Sequence, residues 1–402
     1  MRESGKADGR SPMTLSRRGF FAGLGAAGAA SVFTAATASG TATATEQDNA
    51  DLAASKKTVD FDGPHQAGIR TAPQSHALLI AYDFKDGKED KQNMERLMRI
   101  WTKDARSMTQ GEPALADLEG ELSKTPDNLT ITVGWGPALV DKLKLSSKVP
   151  AWVSEHRDGL PAFKGDKLDD AWGQADLCLQ ICGNDLTAVN HAARVLTRGG
   201  QDYVTPVWSQ RGFLDAVPGH TPRNLLGFKD GTAVPRTDDQ YNEEIWDDQG
   251  GSAMVVRRIV YDMPAWEALD RQGRETVFGR KADTGAPLSG KGEFDKVDLN
   301  KTDDTGIPLI DKNSHVGIAA GEGTRLRRRA YNFDDAVTPK AESGLIFICF
   351  QKDPSTAFTP LQKRLAASDR LNRWITHVGS AVFWNPPGTE QGSYWGQKLL
   401  EG

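Results

Sequence analysis

Downstream of residue 58, short apolar runs alternate with stretches where apolar side chains return every third or fourth position. His76–Phe84 (HALLIAYDF) is an apolar run of strand length. Met94, Leu97, Met98, Trp101, Ala105 and Met108 then share one helical face. Residues 129–133 alternate as a strand that stops at Gly134-Trp135-Gly136, and 176–181 form another. Thr187 opens a helix whose face carries Val189, Ala192, Ala193 and Leu196, closed by Gly199-Gly200. Residues 204–208 return to strand.

The order then repeats. Residues 253–261 are a β-branched strand, and Pro264 suits the first turn of a helix. Residues 345–350 are a continuous apolar strand, 358–376 a long helix, and 378–384 a last strand stopped by Pro386-Pro387. Strand–helix–strand followed by strand–helix–strand, twice over, predicts an α+β fold of two ferredoxin-like domains, antiparallel sheets with helices on one face. Between them, residues 218–251 are rich in Gly, Asp and Pro, the kind of connection on which site residues concentrate.

The beginning of the chain has a different character. Ser16-Arg17-Arg18-Gly19-Phe20-Phe21 precedes an uncharged Gly/Ala-rich stretch, residues 22–38, and the small-x-small tripeptides Ala36-Thr37-Ala38 and Ala42-Thr43-Ala44. Gly, Ala and Thr add little transfer free energy, so residues 1–44 read as a twin-arginine signal peptide and not a membrane anchor. Residues 45–58 read as a polar linker, 59–220 as the N-terminal domain and 221–402 as the C-terminal one. The twin-arginine translocase carries folded chains, which suits a protein loaded with a cofactor before export. It implies an extracellular, periplasmic or cell-envelope location.

Composition narrows the picture. With 38% hydrophobic and 26% charged residues, the chain can build a core and stay soluble. A net charge of -5 gives no electrostatic case for nucleic acid. No later stretch has the length and apolarity of a membrane span, so no stable membrane insertion is expected. The three cysteines, Cys178, Cys182 and Cys349, cannot form a complete disulfide framework. Cys178 and Cys349 lie in apolar strands and read as buried thiols, and no second ligand pair follows Cys178 and Cys182 at zinc spacing. A homo-oligomer stays open.

Three segments could carry chemistry. Asp230 sits on a glycine-flanked turn, Gly227-Phe228-Lys229-Asp230-Gly231-Thr232, fit for an Asx-turn or for acid/base work. Arg327, Arg328 and Arg329 form a run that reads as a solvated face or as a source of one anion-stabilising cation. The seven histidines are His65, His76, His156, His191, His220, His315 and His377, and spacing selects none of them.

From about residue 60 to the end, the motifs resemble, in order, the DyP-type (dye-decolourising) haem peroxidases of the dimeric α+β barrel superfamily. The resemblance rests on His65-Gln66-Ala67-Gly68-Ile69, Trp208-Ser209-Gln210, the Gly-x-x-Asp-Gly turn ending at Gly231, and residues 279–288 (GRKADTGAPL). It continues in Asn313-Ser314-His315-Val316, residues 326–331 (LRRRAY), 344–351 (GLIFICFQ) and 378–388 (VGSAVFWNPPG). The closest likeness is to the subgroup holding deferrochelatase/peroxidases and secreted actinobacterial enzymes. The resemblance implies one haem b per chain, held mainly by the second domain, with His315 as the iron ligand. It makes Asp230 the distal acid/base, Arg328 the distal cation with Arg329 as the neighbouring register, and Phe347 the aromatic confining the peroxide pocket. Gly231 and Thr232 join the haem-facing turn. Hydrogen peroxide would be the oxidant, and phenols, dyes or other bulky reductants the substrates. Release of iron from haem is the alternative activity, and a cofactor-free monooxygenase or binding module, without Soret absorption, a third. Val316-Gly317 departs from the His-x-Arg often seen in the family, the stretch from His315 to Arg328 is shorter than in many relatives, and Ala330 replaces a usual glycine. For the carboxylate that orients the ligand histidine, Asp311, Asp334 and Asp335 are the residues near in sequence.

Overall fold

Local chemistry starts the helices where the periodicity places them. In the computed structural model, which describes residues 55–320, 325–335 and 342–402, β1 (His76–Phe84) is followed by α1 (Lys91–Thr109). The Asp90 carboxylate caps α1 by accepting from Asn93 N, and Asp185 caps α2 (Leu186–Gly200) by accepting from Thr187 N and Ala188 N. With β2 (Thr130–Trp135), β3 (Leu177–Gly183) and β4 (Val204–Phe213), these elements make an antiparallel sheet of order β2-β3-β1-β4. The expected signal peptide and most of the expected linker lie outside the described residues. The last linker residues are bound to the fold, since Asp127 N and Asn128 N donate to the carbonyls of Ser55 (2.9 Å) and Lys57 (2.7 Å).

The second half repeats the permutation with β5 (Ser252–Tyr261), β6 (Arg327–Arg328), β7 (Tyr331–Asp334), β8 (Ser343–Gln351) and β9 (Ile375–Asn385). β5 lies between β9 and β8, and β8 also pairs β7 and β6. Three short helices matter for the site: α3 (Arg271–Phe278), α4 (His315–Ala319) and α5 (Phe358–Ser368). Two sequence expectations change. β6 and β7 did not show as an apolar run, because β6 is two arginines and β7 is four residues of which Asn332 and Asp334 are polar. The helix expected over 358–376 ends at Ser368, because the Asp369 carboxylate accepts from Leu371 N and starts a separate 3₁₀ turn, Arg370–Arg373.

The two halves share one sheet. Its order, β5-β9-β2-β3-β1-β4-β7-β8-β6, closes into a barrel because β5 also pairs β8. The halves meet at two narrow seams, Trp135 opposite Trp384 and Phe213 opposite Asn332. At the first seam, Asn385 Nδ2 and Gln66 Nε2 both donate to the Val133 carbonyl (2.8 and 3.0 Å), and Gln66 also reaches the Pro386 carbonyl.

Strand alternation divides the core. Ala77, Leu79, Ala81, Met254, Val256, Ile346, Ile348, Phe350 and Phe383 fill the barrel interior. On the outer face, Leu78, Ile80 and Tyr82 pack under α1 and α2. Leu226, Phe228, Trp266, Phe278 and Trp374 form a separate apolar layer over the second half. Cys178 and Cys349 are free and buried, as the strand pattern implied, and so is Cys182. Among the described residues no helix is long and apolar enough to cross a membrane.

Candidate functional site

The site lies on the outer face of the second half, and the arginine run shows why. β6 pairs β8 with Arg328 opposite Cys349 and Arg327 opposite Phe350. Side chains alternate along a strand, so Arg328 shares the outer face with Cys349 and Phe347, while Arg327 and Arg329 point into the barrel. Their partners agree. Arg327 donates to the carbonyls of Ile69 (3.1 Å), Arg70 (3.2 Å) and Thr71 (2.8 Å). Arg329 donates to Thr71 O, Gln74 Oε1 and the Tyr331 hydroxyl. Arg329, the neighbouring register, thus points away from the face that carries Arg328.

Arg328 Nε lies 3.4 Å from Asp230 Oδ1, and both side chains keep about a quarter of their surface (27% and 23%). The Asp230 turn is held by its backbone: Asp230 N donates to Pro222 O, Asn224 N to Phe228 O and Gly227 N to Asn224 O. Gly227 and Gly231 have φ of 92° and 117°, and a Cβ on Gly227 would meet nothing, so the glycines serve the turn conformation and not a close approach. Asn332 of β7 fastens the turn to the barrel, accepting from Leu225 N (3.1 Å) and donating to Arg223 O (2.9 Å). Thr232 reaches Glu293 (3.1 Å), which also accepts from Thr221 (2.5 Å) and pairs with Lys229. Gly231 and Thr232 thus shape and anchor the turn, with Glu293 as the hub.

His315 is the first residue of α4, which Ser314 caps by accepting from Gly317 N (3.1 Å). Its Nδ1 lies 2.7 Å from Asp369 Oδ2, whose side chain is 2% exposed while the imidazole is 37% exposed. Burial pulls the imidazole pKa down, but the Asp369 carboxylate outweighs it and the net direction is upward, with smaller effects from the Arg328 and Asp230 charges. Phe278 of α3 flanks the ring at 6.0 Å. The sequence offered Asp311, Asp334 and Asp335 as near neighbours without choosing among them, and the partner is none of the three. Asp311 pairs with Arg370, Asp335 with Arg258 and Asp334 with Ser343, so none of the three reaches His315. Asp369 is distant in sequence; an Asp two residues before a Leu at a helix end was its only local sign.

Phe347 is half-buried on the same face, its ring 6.1 Å from Phe358. Arg280, in a motif quoted above without a role, donates to the carbonyls of Gly285 (2.7 Å) and Glu293 (3.0 Å). Burial and then the Arg328 charge hold its pKa below the ordinary guanidinium value. Two neighbouring guanidiniums, an imidazole whose Nε2 has no partner among the described residues, and half-exposed aromatic surface make a donor set that fits an anionic metallated macrocycle. The other histidines have structural partners or lie elsewhere: His65 stacks on Trp246 at 3.8 Å, His156 bonds the Trp152 carbonyl, His191 bonds Asp117, and His377 lies near Asp166.

Comparison with known proteins supplies the family. Residues 66–214 match the family model for the Dyp-type peroxidase N-terminal region, and 221–390 the model for the C-terminal region. The chain is 33% identical to a dye-decolorizing peroxidase of Thermobifida fusca, over 96% of this chain and 97% of that protein. It is 32% identical to the deferrochelatase of Escherichia coli K12, covering 85% of this chain and 86% of the relative. Among solved structures, the DyP-type peroxidase from Cellulomonas bogoriensis has 42% identity and a TM-score of 0.82, over 87% of this chain and 99% of its own. An oxyferrous complex of DtpA from Streptomyces lividans gives 32% identity with the same TM-score and coverage. With two family models that together span most of the sequence, the chain belongs to the Dyp-type peroxidase family.

Proposed function

We propose that Asp230, Arg328, His315 and Phe347 form the working site of this haem peroxidase. The chain is an oxidoreductase that uses hydrogen peroxide to oxidise a reducing substrate, with haem as cofactor. The observation that carries the site assignment is the Asp230–Arg328 pair at 3.4 Å, whose two charges also act on the His315 imidazole. His315 Nε2 would hold the iron while Asp369 fixes the other ring nitrogen, and Arg280 would be the cation to meet a haem carboxylate. When bound, haem supplies the two-electron chemistry at peroxide. Asp230 accepts a proton from one peroxide oxygen and returns it to the other, the leaving oxygen. The Arg328 guanidinium steadies the anion that develops as the O–O bond breaks. Phe347 keeps the pocket small and excludes water.

Stopped-flow mixing with hydrogen peroxide tests the assignment. Asp230→Asn is expected to slow the peroxide-dependent Soret change by about 10²–10⁴, and Arg328→Leu by about 10²–10³. Wild-type rates in both variants would remove the assignment. A second reading follows from the similarity to deferrochelatases: the same pocket could release iron from haem with the macrocycle intact. Iron-free porphyrin accumulating without peroxide would favour that activity. Dyes are the substrate class suggested by the name of the relative from Thermobifida fusca.

Export belongs to the same proposal. The Arg17-Arg18 pair and the uncharged stretch behind it support twin-arginine translocation to the extracellular or cell-envelope space. Replacing both arginines with lysine is expected to hold the protein in the cytoplasm, and unchanged secretion of that variant would reject the leader.

A further inference from the structure

Arg327 and Arg329 pose a physical puzzle. Both are buried in the barrel, 7% and 1% exposed, with Tyr331, Ile348 and Phe350 nearby in the same apolar layer. Among the described residues neither has a carboxylate at ion-pair distance. Burial and then the Arg329 charge push the Arg327 pKa down to about 10, so the two also repel each other. Desolvating two like charges is costly, and a methionine or leucine would fill either position more cheaply. What a guanidinium offers there is a rigid planar fork able to bind several acceptors at fixed angles.

The acceptors lie in one place. Arg327 binds the carbonyls of Ile69, Arg70 and Thr71, and Arg329 binds Thr71 O and Gln74 Oε1. These residues form the strap that precedes β1 in the first half of the chain. The strap is itself fixed. Gln74 Nε2 donates to Asn128 O (2.8 Å) and Thr130 Oγ1 (2.9 Å), Thr132 Oγ1 donates to Ala67 O (2.6 Å), and Gly68 N donates to Thr71 Oγ1 (3.1 Å). By contrast, β6 consists of only two residues, paired with β8 through Arg327 and Arg328. Its register on β8 continues through Arg329 N to Ile348 O (2.8 Å) into β7, but the other edge of β6 has no strand partner among the described residues, so on that side the strap is what holds it.

We propose that Arg327 and Arg329 are positioning residues that lock β6 into the strap at residues 69–74, so that Arg328 is held facing Asp230. On this view the first half takes part in peroxide chemistry: its backbone carbonyls form the socket that sets the aim of a cation in the second half. The inference rests on the assignment of Arg328 under the proposed function.

The test is a set of cycles on the haem-loaded full chain, read by stopped-flow mixing with hydrogen peroxide. Arg327→Met and Arg329→Met are each expected to slow the Soret change by about 10- to 100-fold at unchanged haem content, the scale of loss for a catalytic group displaced by up to 1 Å. Placed in an Arg328→Leu chain, neither should slow the reaction further, because the residue they aim is gone. Wild-type rates in the two single variants overturn the proposal, and so does a slowing that persists undiminished in the Arg328→Leu chain, which would mark general loosening. If the methionine variants fail to fold, Gln74→Met cuts the same link from the strap side, and the same two outcomes decide. A wild-type rate in Arg328→Leu alone would instead remove the site assignment on which the inference rests.

Discussion

Asp369→Asn isolates the charge behind the iron ligand. The carboxylate is 2% exposed and makes two bonds, Oδ2 to His315 Nδ1 at 2.7 Å and Oδ1 from Leu371 N at 2.8 Å. Asparagine keeps the shape and remains a good cap, so the 3₁₀ turn should survive. What is lost is the charge that makes the imidazole a stronger donor. A hydrogen bond to a charged group contributes about 1.5–3 kcal/mol net. Loss of such an outer partner of a metal ligand costs about 10- to 100-fold in metal affinity or activity, and the two ranges agree because tenfold corresponds to about 1.4 kcal/mol. If that loss falls on the ferric state alone, which an anionic partner favours, the one-electron potential should rise by about 60–120 mV. Spectroelectrochemistry measures the potential, and transfer of haem to an excess apo-globin measures retention. An unchanged potential and unchanged haem transfer in Asp369→Asn, with haem lost from His315→Ala, would refute the reasoning. An equal shift in Asp311→Asn would show that the carboxylate has been misassigned.

Gly231→Ala puts a side chain at φ 117°, outside the region L-residues adopt readily, and should lower stability by about 1–2 kcal/mol while slowing the peroxide reaction; urea unfolding and stopped-flow check both. Glu293→Gln should loosen the Asp230 turn. Burial raises the Glu293 pKa, but Lys229, Thr221 and Thr232 outweigh it and the net direction is down, so its contribution is present above the ordinary glutamate pKa and is lost as pH falls through the folded value. An acid-side unfolding profile identical to wild type would contradict this. His377 is pushed down to about 3 by burial and then by Arg257, from an unfolded value of 6.5. The unfolded chain therefore binds the extra proton, and stability present above pH 6.5 should fall away toward pH 3, by at most about 5 kcal/mol. Urea titrations should show a shallower acid loss in His377→Gln, and parallel curves would reject the buried neutral imidazole.

Much of this protein was legible in its sequence because the signals were local. Apolar periodicity located β1, α1, β3 and α2, since a helix face or a strand run is written in neighbouring residues, and the caps at Asp90 and Asp185 agree with it. The Asp230 turn was readable because the positive φ at Gly227 and Gly231 demands glycine wherever the chain folds. Motif order supplied the family and, with it, His315 and the run of three arginines. The partners were not legible. Asp369 meets His315 across 54 positions, and Arg327 and Arg329 meet the strap across more than 250. Nor could residue chemistry alone choose among Arg327, Arg328 and Arg329; only the family resemblance pointed to Arg328. The three are chemically identical, and alternation along β6, fixed by pairing with β8, sends one to the outer face and two into the barrel. Barrel closure was equally hidden, because it rests on the second edge of β5 and on the Trp135–Trp384 and Phe213–Asn332 seams. Each half writes its own strand order locally, but which edges join is settled only when both sheets exist to bury the shared interior.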